Sequence, residues 1–148
     1  MKIMFVCTGN ICRSAMAEVM LRKMAEEEGK NIEIYSCGTT AYTGDTSTEE
    51  AIQVMKENQI NLEKHRATNI KESKIEEMDV ILCATTAHKK IVINQYPELK
   101  EKVYTIKEYA EEGTKDLDIA DPWGYSIQVY RQCAEEIKEN LKKIIKKV

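Results

Sequence analysis

Four short apolar runs, near residues 2–7, 32–36, 79–84 and 103–106, are separated by stretches of helical periodicity near 15–28, 48–58, 86–95 and 126–147. Strands that alternate with helices are joined by connections long enough to cross over. They therefore run parallel, with the helices packed on the sheet. The pattern predicts an α/β fold: a single-domain, doubly wound, four-stranded parallel sheet flanked by helices on both faces. A chain of 148 residues can bury a core without staples, and no repeat, linker or low-complexity segment marks a boundary, so one domain over 1–148 is expected. In an open sheet of this kind, ligands bind beyond the carboxyl ends of the strands. Residue 7 is such an end.

Local signals support the same reading. The first helix carries Met16, Val19, Met20 and Met24 at spacings of three and four and stops at Gly29, which makes these side chains core. Ser47-x-x-Glu50 reads as a capping box that opens the second helix. In the last helix Ile137, Leu141, Ile144 and Ile145 form one stripe beside several lysines. A basic amphipathic helix can lie on a membrane, but lysines at a helix C-terminus also complement its dipole while the stripe docks on a sheet. Docking is the expected outcome.

Residues 7 to 14 read Cys-Thr-Gly-Asn-Ile-Cys-Arg-Ser, directly after Ile3-Met4-Phe5-Val6 and directly before a helical pattern. A turn between a strand end and a helix N-terminus can converge its backbone N–H groups on one anion. The thiolate, the nucleophilic form of cysteine, is favoured at a helix N-terminus beside an arginine, which makes Cys7 the candidate nucleophile. Arg13 can hold two phosphoryl oxygens with its planar fork. Thr8, Gly9, Asn10, Ile11, Cys12 and Ser14 complete the candidate phosphate loop. Gly9 and Asn10 tolerate left-handed backbone, and Ser14 stands where an N-cap is expected. The implied chemistry is attack by sulfur on phosphorus.

Composition narrows the setting. A net charge of −3 argues against a nucleic-acid surface, and no apolar run is long enough for a membrane span. Met1-Lys2 leads straight into a strand, which leaves no room for a signal peptide and predicts a cytoplasmic location. Five cysteines, an odd number, do not form a disulfide framework. With two histidines and no Cys-x2-Cys pair, neither a metal site nor a cofactor is expected. Cys37, Cys83 and Cys133 read as small buried hydrophobes. Cys12 either packs in the same way or traps an oxidised Cys7 as a disulfide.

The segments Val6-Cys7 through Arg13-Ser14, Ser36-Cys37-Gly38-Thr39 and Asp121-Pro122-Trp123, in that order, resemble the low-molecular-weight protein tyrosine phosphatases over nearly the whole chain. That family shares its fold with thioredoxin-coupled arsenate reductases and includes a branch acting on phosphoarginine. The resemblance implies hydrolysis of a phosphorylated protein substrate through a cysteinyl-phosphate intermediate, and inhibition by phosphate-like oxyanions. It places the general acid at Asp121. Taken alone, Asp121-Pro122 reads as a plain turn whose proline holds the aspartate extended. The resemblance also implies a hydrogen-bond network of Asn10, Ser14, Ser36 and His65, although His65 in Glu63-Lys64-His65-Arg66 reads equally well as a solvated residue. Tyr42 and Trp123 match positions at the mouth of the site and either wall it or simply pack. His88 receives no role.

Substrate signals are mixed. Ile11 matches the isoleucine usual in the tyrosine phosphatases, where the phosphoarginine branch carries threonine. Thr85 to Lys89 and Val103 to Tyr109 look more like the arginine branch, and Ala15 replaces a proline that often follows Arg-Ser. Phosphotyrosine is the expected substrate and phosphoarginine the alternative. An arsenate reductase would need a relay cysteine about seven residues after Cys83, where Lys90 stands. A non-catalytic phosphate-binding module would have no need for both Cys7 and Asp121. Both readings therefore rank lower.

Overall fold

The computed structural model describes residues 1–148. Strands β1 (Lys2–Cys7), β2 (Glu33–Gly38), β3 (Val80–Cys83) and β4 (Val103–Thr105) form one sheet in the order β2-β1-β3-β4. All pairings are parallel, with Val6 opposite Cys37 on one side and Cys83 on the other. Between and after the strands come helices α1 (Arg13–Glu27), α2 (Glu49–Glu57), α3 (Thr86–Gln95), α4 (Ile106–Ala110) and α5 (Ile127–Ile144). The fold class is the doubly wound one that the alternation predicts. No helix is long and apolar enough to cross a membrane.

The two faces of β1 build the two halves of the core. Ile3 and Phe5 point into the larger half, with Met16, Met20 and Leu21 of α1, Met55 of α2, Ile106 of α4 and Ile137, Leu141 and Ile144 of α5. Met4 and Val6 point the other way, onto Val92 of α3 and the short 3-10 turns that carry Ile70, Ile75 and Leu99. A strand that feeds both halves must be apolar at every position. Fully burying each such side chain stabilises the fold by about 1.5–3 kcal/mol. Gly29, with φ of 66°, ends α1 in the left-handed conformation that glycine adopts without strain.

Several boundaries differ from the sequence reading. α1 begins at Arg13, and its N-cap position is Cys12, which makes no side-chain cap bond. Ser14 is therefore inside the first turn, and its hydroxyl is used elsewhere. The cap of α2 is Thr48, whose Oγ1 accepts from the N–H of Ala51 at 3.3 Å. No capping box forms there, because the third helical residue is alanine. Ser47 is buried, its hydroxyl without a partner. The capping box of this fold is instead at α4, where Thr105 and Glu108 exchange bonds of 2.7 and 3.0 Å. A helix of five residues is too short for a periodic signal, which is why the sequence shows only the strand before it.

Candidate active site

Cys7 is the last residue of β1, and the chain turns there into the loop that leads to α1. Asn10 sits at φ 57°, the left-handed position of that turn. Four carbonyl oxygens of the loop are tied outward. Thr39 N–H donates to Cys7 O at 2.9 Å, Thr40 N–H to Thr8 O at 3.0 Å and Thr48 N–H to Ile11 O at 3.2 Å. His65 Nε2 lies 2.9 Å from Asn10 O. None of the amides of Thr8 to Cys12 donates within the chain. A loop with carbonyls held outward and amides unspent has the backbone arrangement of an anion-binding nest.

Gly38 makes this loop fit against the sheet. A Cβ placed there would meet Thr8 O at 2.5 Å and Asn10 N at 2.9 Å, so only glycine allows β2 and the loop to touch.

Around Cys7 the polar side chains form one hydrogen-bonded chain. Cys7 Sγ lies 2.8 Å from Ser14 Oγ. Asn10 Nδ2 donates to Ser14 Oγ at 2.8 Å and to Ser36 Oγ at 2.9 Å, while its Oδ1 accepts from Thr68 N–H at 2.9 Å. Ser36 donates in turn to Glu18, which is held by Arg22 at 2.6 Å. Because Asn10 donates to Ser14, the Ser14 proton is free for the sulfur. His65 is no solvated bystander, since it bonds the backbone of Asn10.

Arg13 is 4% exposed and donates Nη1–H to Ile119 O at 2.8 Å, with Nη2 3.6 Å from Asp121 Oδ2. Ile119 N–H donates to Ala84 O at 2.9 Å, which moors the segment carrying Asp121 to the end of β3. The Asp121 side chain is 51% exposed and its Oδ1 accepts from Trp123 N–H at 3.1 Å. Cys7, Arg13, Ile11, Asp121, Tyr42 and Trp123 line a cleft of about 350 Å³, together with Asp45 and the loop residues Thr8, Gly9 and Cys12. Tyr42 and Trp123 are 79% and 61% exposed, flat walls at a rim rather than packed core.

The other cysteines are set apart by burial. Desolvation pushes the thiols of Cys37 and Cys133 up to about 12, and that of Cys83 higher still. Cys12 Sγ lies 3.4 Å from Tyr130 Oη and 3.7 Å from Thr48 Oγ1, and burial raises its thiol too, although these two hydroxyls pull the other way. No disulfide is present.

Three residues near the loop were not anticipated. Glu18 ends the polar chain, and the spacing Ser14, Glu18, Arg22 along one helix face is the signal that could have found it. Asp45 lines the cleft, carried there by the loop after β2. His88 is 5% exposed and reaches Thr8 Oγ1 with Nε2 at 2.8 Å.

Comparison with known proteins agrees with this geometry. The family described as low molecular weight phosphotyrosine protein phosphatase matches residues 2–148. A protein-arginine-phosphatase of Bacillus subtilis is 38% identical, covering 100% of this chain and 97% of its own. The low molecular weight protein-tyrosine-phosphatase PtpB of Staphylococcus haemolyticus is 35% identical over 93% of this chain and 92% of its own. The crystal structure of a low molecular weight protein tyrosine phosphatase from T. tengcongensis superposes with a TM-score of 0.93 at 38% identity, covering 100% of this chain and 99% of that one. A parallel four-stranded sheet, a Cys-x5-Arg nest at the end of its first strand and a match over almost every residue place this chain in the low molecular weight phosphotyrosine protein phosphatase family, enzymes that hydrolyse phosphate esters.

Proposed function

We propose that the chain is a protein-tyrosine phosphatase in which Cys7 attacks phosphorus, Arg13 and the loop amides hold the phosphoryl oxygens, and Asp121 protonates the leaving oxygen. The observation that carries this reading is the 2.8 Å contact of Ser14 Oγ with Cys7 Sγ under a nest in which the carbonyls of Cys7, Thr8, Asn10 and Ile11 are tied to residues outside the loop. Attack forms the S–P bond and breaks the P–O bond, with the proton of Asp121 passing to the departing oxygen. In the second half, the Asp121 carboxylate takes a proton from water as that water attacks phosphorus and expels the sulfur. Ser14 stabilises the sulfur as it regains negative charge. Oxyanions shaped like phosphate would occupy the nest and inhibit. Five unpaired cysteines suit a reducing, cytoplasmic setting.

Ile11 and the exposed rings of Tyr42 and Trp123 favour a flat aromatic phosphoester. A second reading has a specific observation behind it. Asp45 joins Asp121 at the cleft, and two carboxylates can bond a guanidinium, the group carried by the substrate of the protein-arginine-phosphatase relatives. Arsenate reduction is disfavoured, because Cys83 is fully buried with its thiol pushed far up. Parallel hydrolysis of phosphotyrosine and phosphoarginine by the purified protein, with Cys7→Ser as blank, decides between the two substrates. A faster rate on phosphoarginine would overturn the tyrosine reading, and turnover surviving in Cys7→Ser would overturn the mechanism.

A further inference from the structure

His88 and Thr8 meet across two elements that no sequence pattern connects. Each ring nitrogen of His88 faces a threonine hydroxyl at 2.8 Å, Nδ1 toward Thr85 Oγ1 and Nε2 toward Thr8 Oγ1. Burial first, and the Arg13 guanidinium second, push the imidazole down to about 4, against an opposite pull from Asp121 and Asp118. The ring is therefore neutral near pH 7, with one N–H and one bare nitrogen.

Thr85 decides which nitrogen carries the hydrogen. As N-cap of α3 its Oγ1 accepts the backbone N–H of His88 at 3.2 Å, and its one other partner is Nδ1. Donation of the Thr85 proton to Nδ1 satisfies hydroxyl and ring together, whereas the opposite tautomer leaves that proton without an acceptor. Nε2 then carries the hydrogen and donates it to Thr8 Oγ1. Thr8 lines the cleft, and its hydroxyl has no other partner in the chain. With a lone pair engaged by His88, its proton is left to the cleft.

We infer that His88 is a positioning residue that holds the Thr8 hydroxyl as an additional hydrogen-bond donor to the phosphoryl group. The donor is oriented from α3, outside the loop that supplies the amides. The same turn of α3 is tied to the segment leading to Asp121, since Thr86 N–H donates to Asp118 Oδ1 at 2.8 Å. One turn of helix thus registers the phosphate loop against the segment that carries the acid.

The inference rests on the phosphatase reading, and its test keeps the two apart. kcat, KM and the inhibition constant of orthophosphate are measured with p-nitrophenyl phosphate, whose leaving group needs no proton. Thermal melting of each variant is followed alongside. Thr8→Val keeps the branched shape and removes the hydroxyl. It is expected to lose about ten- to a hundredfold in kcat/KM and to bind orthophosphate more weakly, the worth of one hydrogen bond to a charged group. His88→Ala should lose a similar factor, and the double variant should be no worse than either single one. His88→Gln, whose amide N–H can stand in for Nε2–H, should recover most of the loss. Wild-type kinetics and phosphate inhibition in Thr8→Val would overturn the inference. So would losses that multiply in the double variant, or a folded His88→Gln as impaired as His88→Ala. Turnover surviving in Cys7→Ser would instead remove the cysteine mechanism, whatever Thr8 does.

Discussion

The hydroxyl of Ser14 lies 2.8 Å from the sulfur of Cys7, and its own acceptor side is occupied by an N–H of Asn10 at 2.8 Å. A donor fixed in this way costs no reorganisation when charge develops on the sulfur. Its largest effect belongs to the step in which the sulfur departs, because there the full negative charge returns to it. Ser14→Ala should therefore slow breakdown of the cysteinyl phosphate more than its formation, by about ten- to a hundredfold. Rapid mixing with an aryl phosphate should show a burst of released phenol ahead of a slow steady state. A variant that loses rate without a burst would place the serine in the first step.

Cys7→Ser and Arg13→Ala should abolish turnover. Asp121→Ala should lose about 10²–10⁴-fold on phosphotyrosine, the usual worth of a general acid, and much less on phosphoesters whose leaving group is already acidic. The check is a series of aryl phosphates of graded leaving-group acidity. Equal losses across the series would take the proton-donor role away from Asp121.

Ile11 offers the cleft an apolar branched wall with no hydrogen-bonding atom. Wild type is expected to prefer phosphotyrosine in kcat/KM. Ile11→Thr, which replaces a methyl group with a hydroxyl, should shift the ratio toward phosphoarginine by about tenfold, the worth of one hydrogen bond of about 0.5–1.5 kcal/mol made in the transition state. An unchanged ratio would mean that residue 11 does not reach the substrate.

Peroxide should inactivate the enzyme reversibly through a disulfide between Cys7 and Cys12, and Cys12→Ser should make the loss harder to reverse with thiol. The closure should be slow, because burial keeps the Cys12 thiol protonated. Peptide mapping of the oxidised protein tests this directly, and a map without that link would end the idea.

The neutral, buried ring of His88 also predicts a pH dependence of stability. Its folded pKa is about 4 against an ordinary 6.5, so between these values the unfolded chain takes a proton that the folded chain refuses. This contribution is fully present above pH 6.5 and is lost as pH falls toward 4, up to about 3 kcal/mol. Melting curves of wild type and His88→Gln should therefore converge as the solution is acidified across that window. Curves that stay parallel would show that the ring titrates normally.

What the sequence makes legible here is what depends on near neighbours along the chain. β1 reads from Lys2 to Cys7 because every residue after the first is buried, and the loop reads because strand, turn and helix follow one another without a gap. The cap of α2 does not read, because two hydroxyl residues stand side by side and the contact accompanying the choice, Thr48 N–H on Ile11 O, comes from the phosphate loop. Glu18, Asp45 and His88 are hidden for the same reason. Each is an ordinary polar residue on its own element: the winding of the sheet brings His88 to Thr8 and Ser36 to Glu18, and the loop after β2 carries Asp45 to the cleft.

Gly38 carries the point into mutational behaviour. It offers no functional group, and nothing would be removed by Gly38→Ala. The added methyl would instead press on the backbone of Thr8 and Asn10 and force the loop to shift against β2. Such damage differs in kind from losing a ligand, since no supplied buffer, substrate excess or chemical rescue restores it. In a saturation scan the position should therefore score with the nucleophile rather than with its strand neighbours, and a screen that ranks residues by the chemistry of their side chains would pass over it.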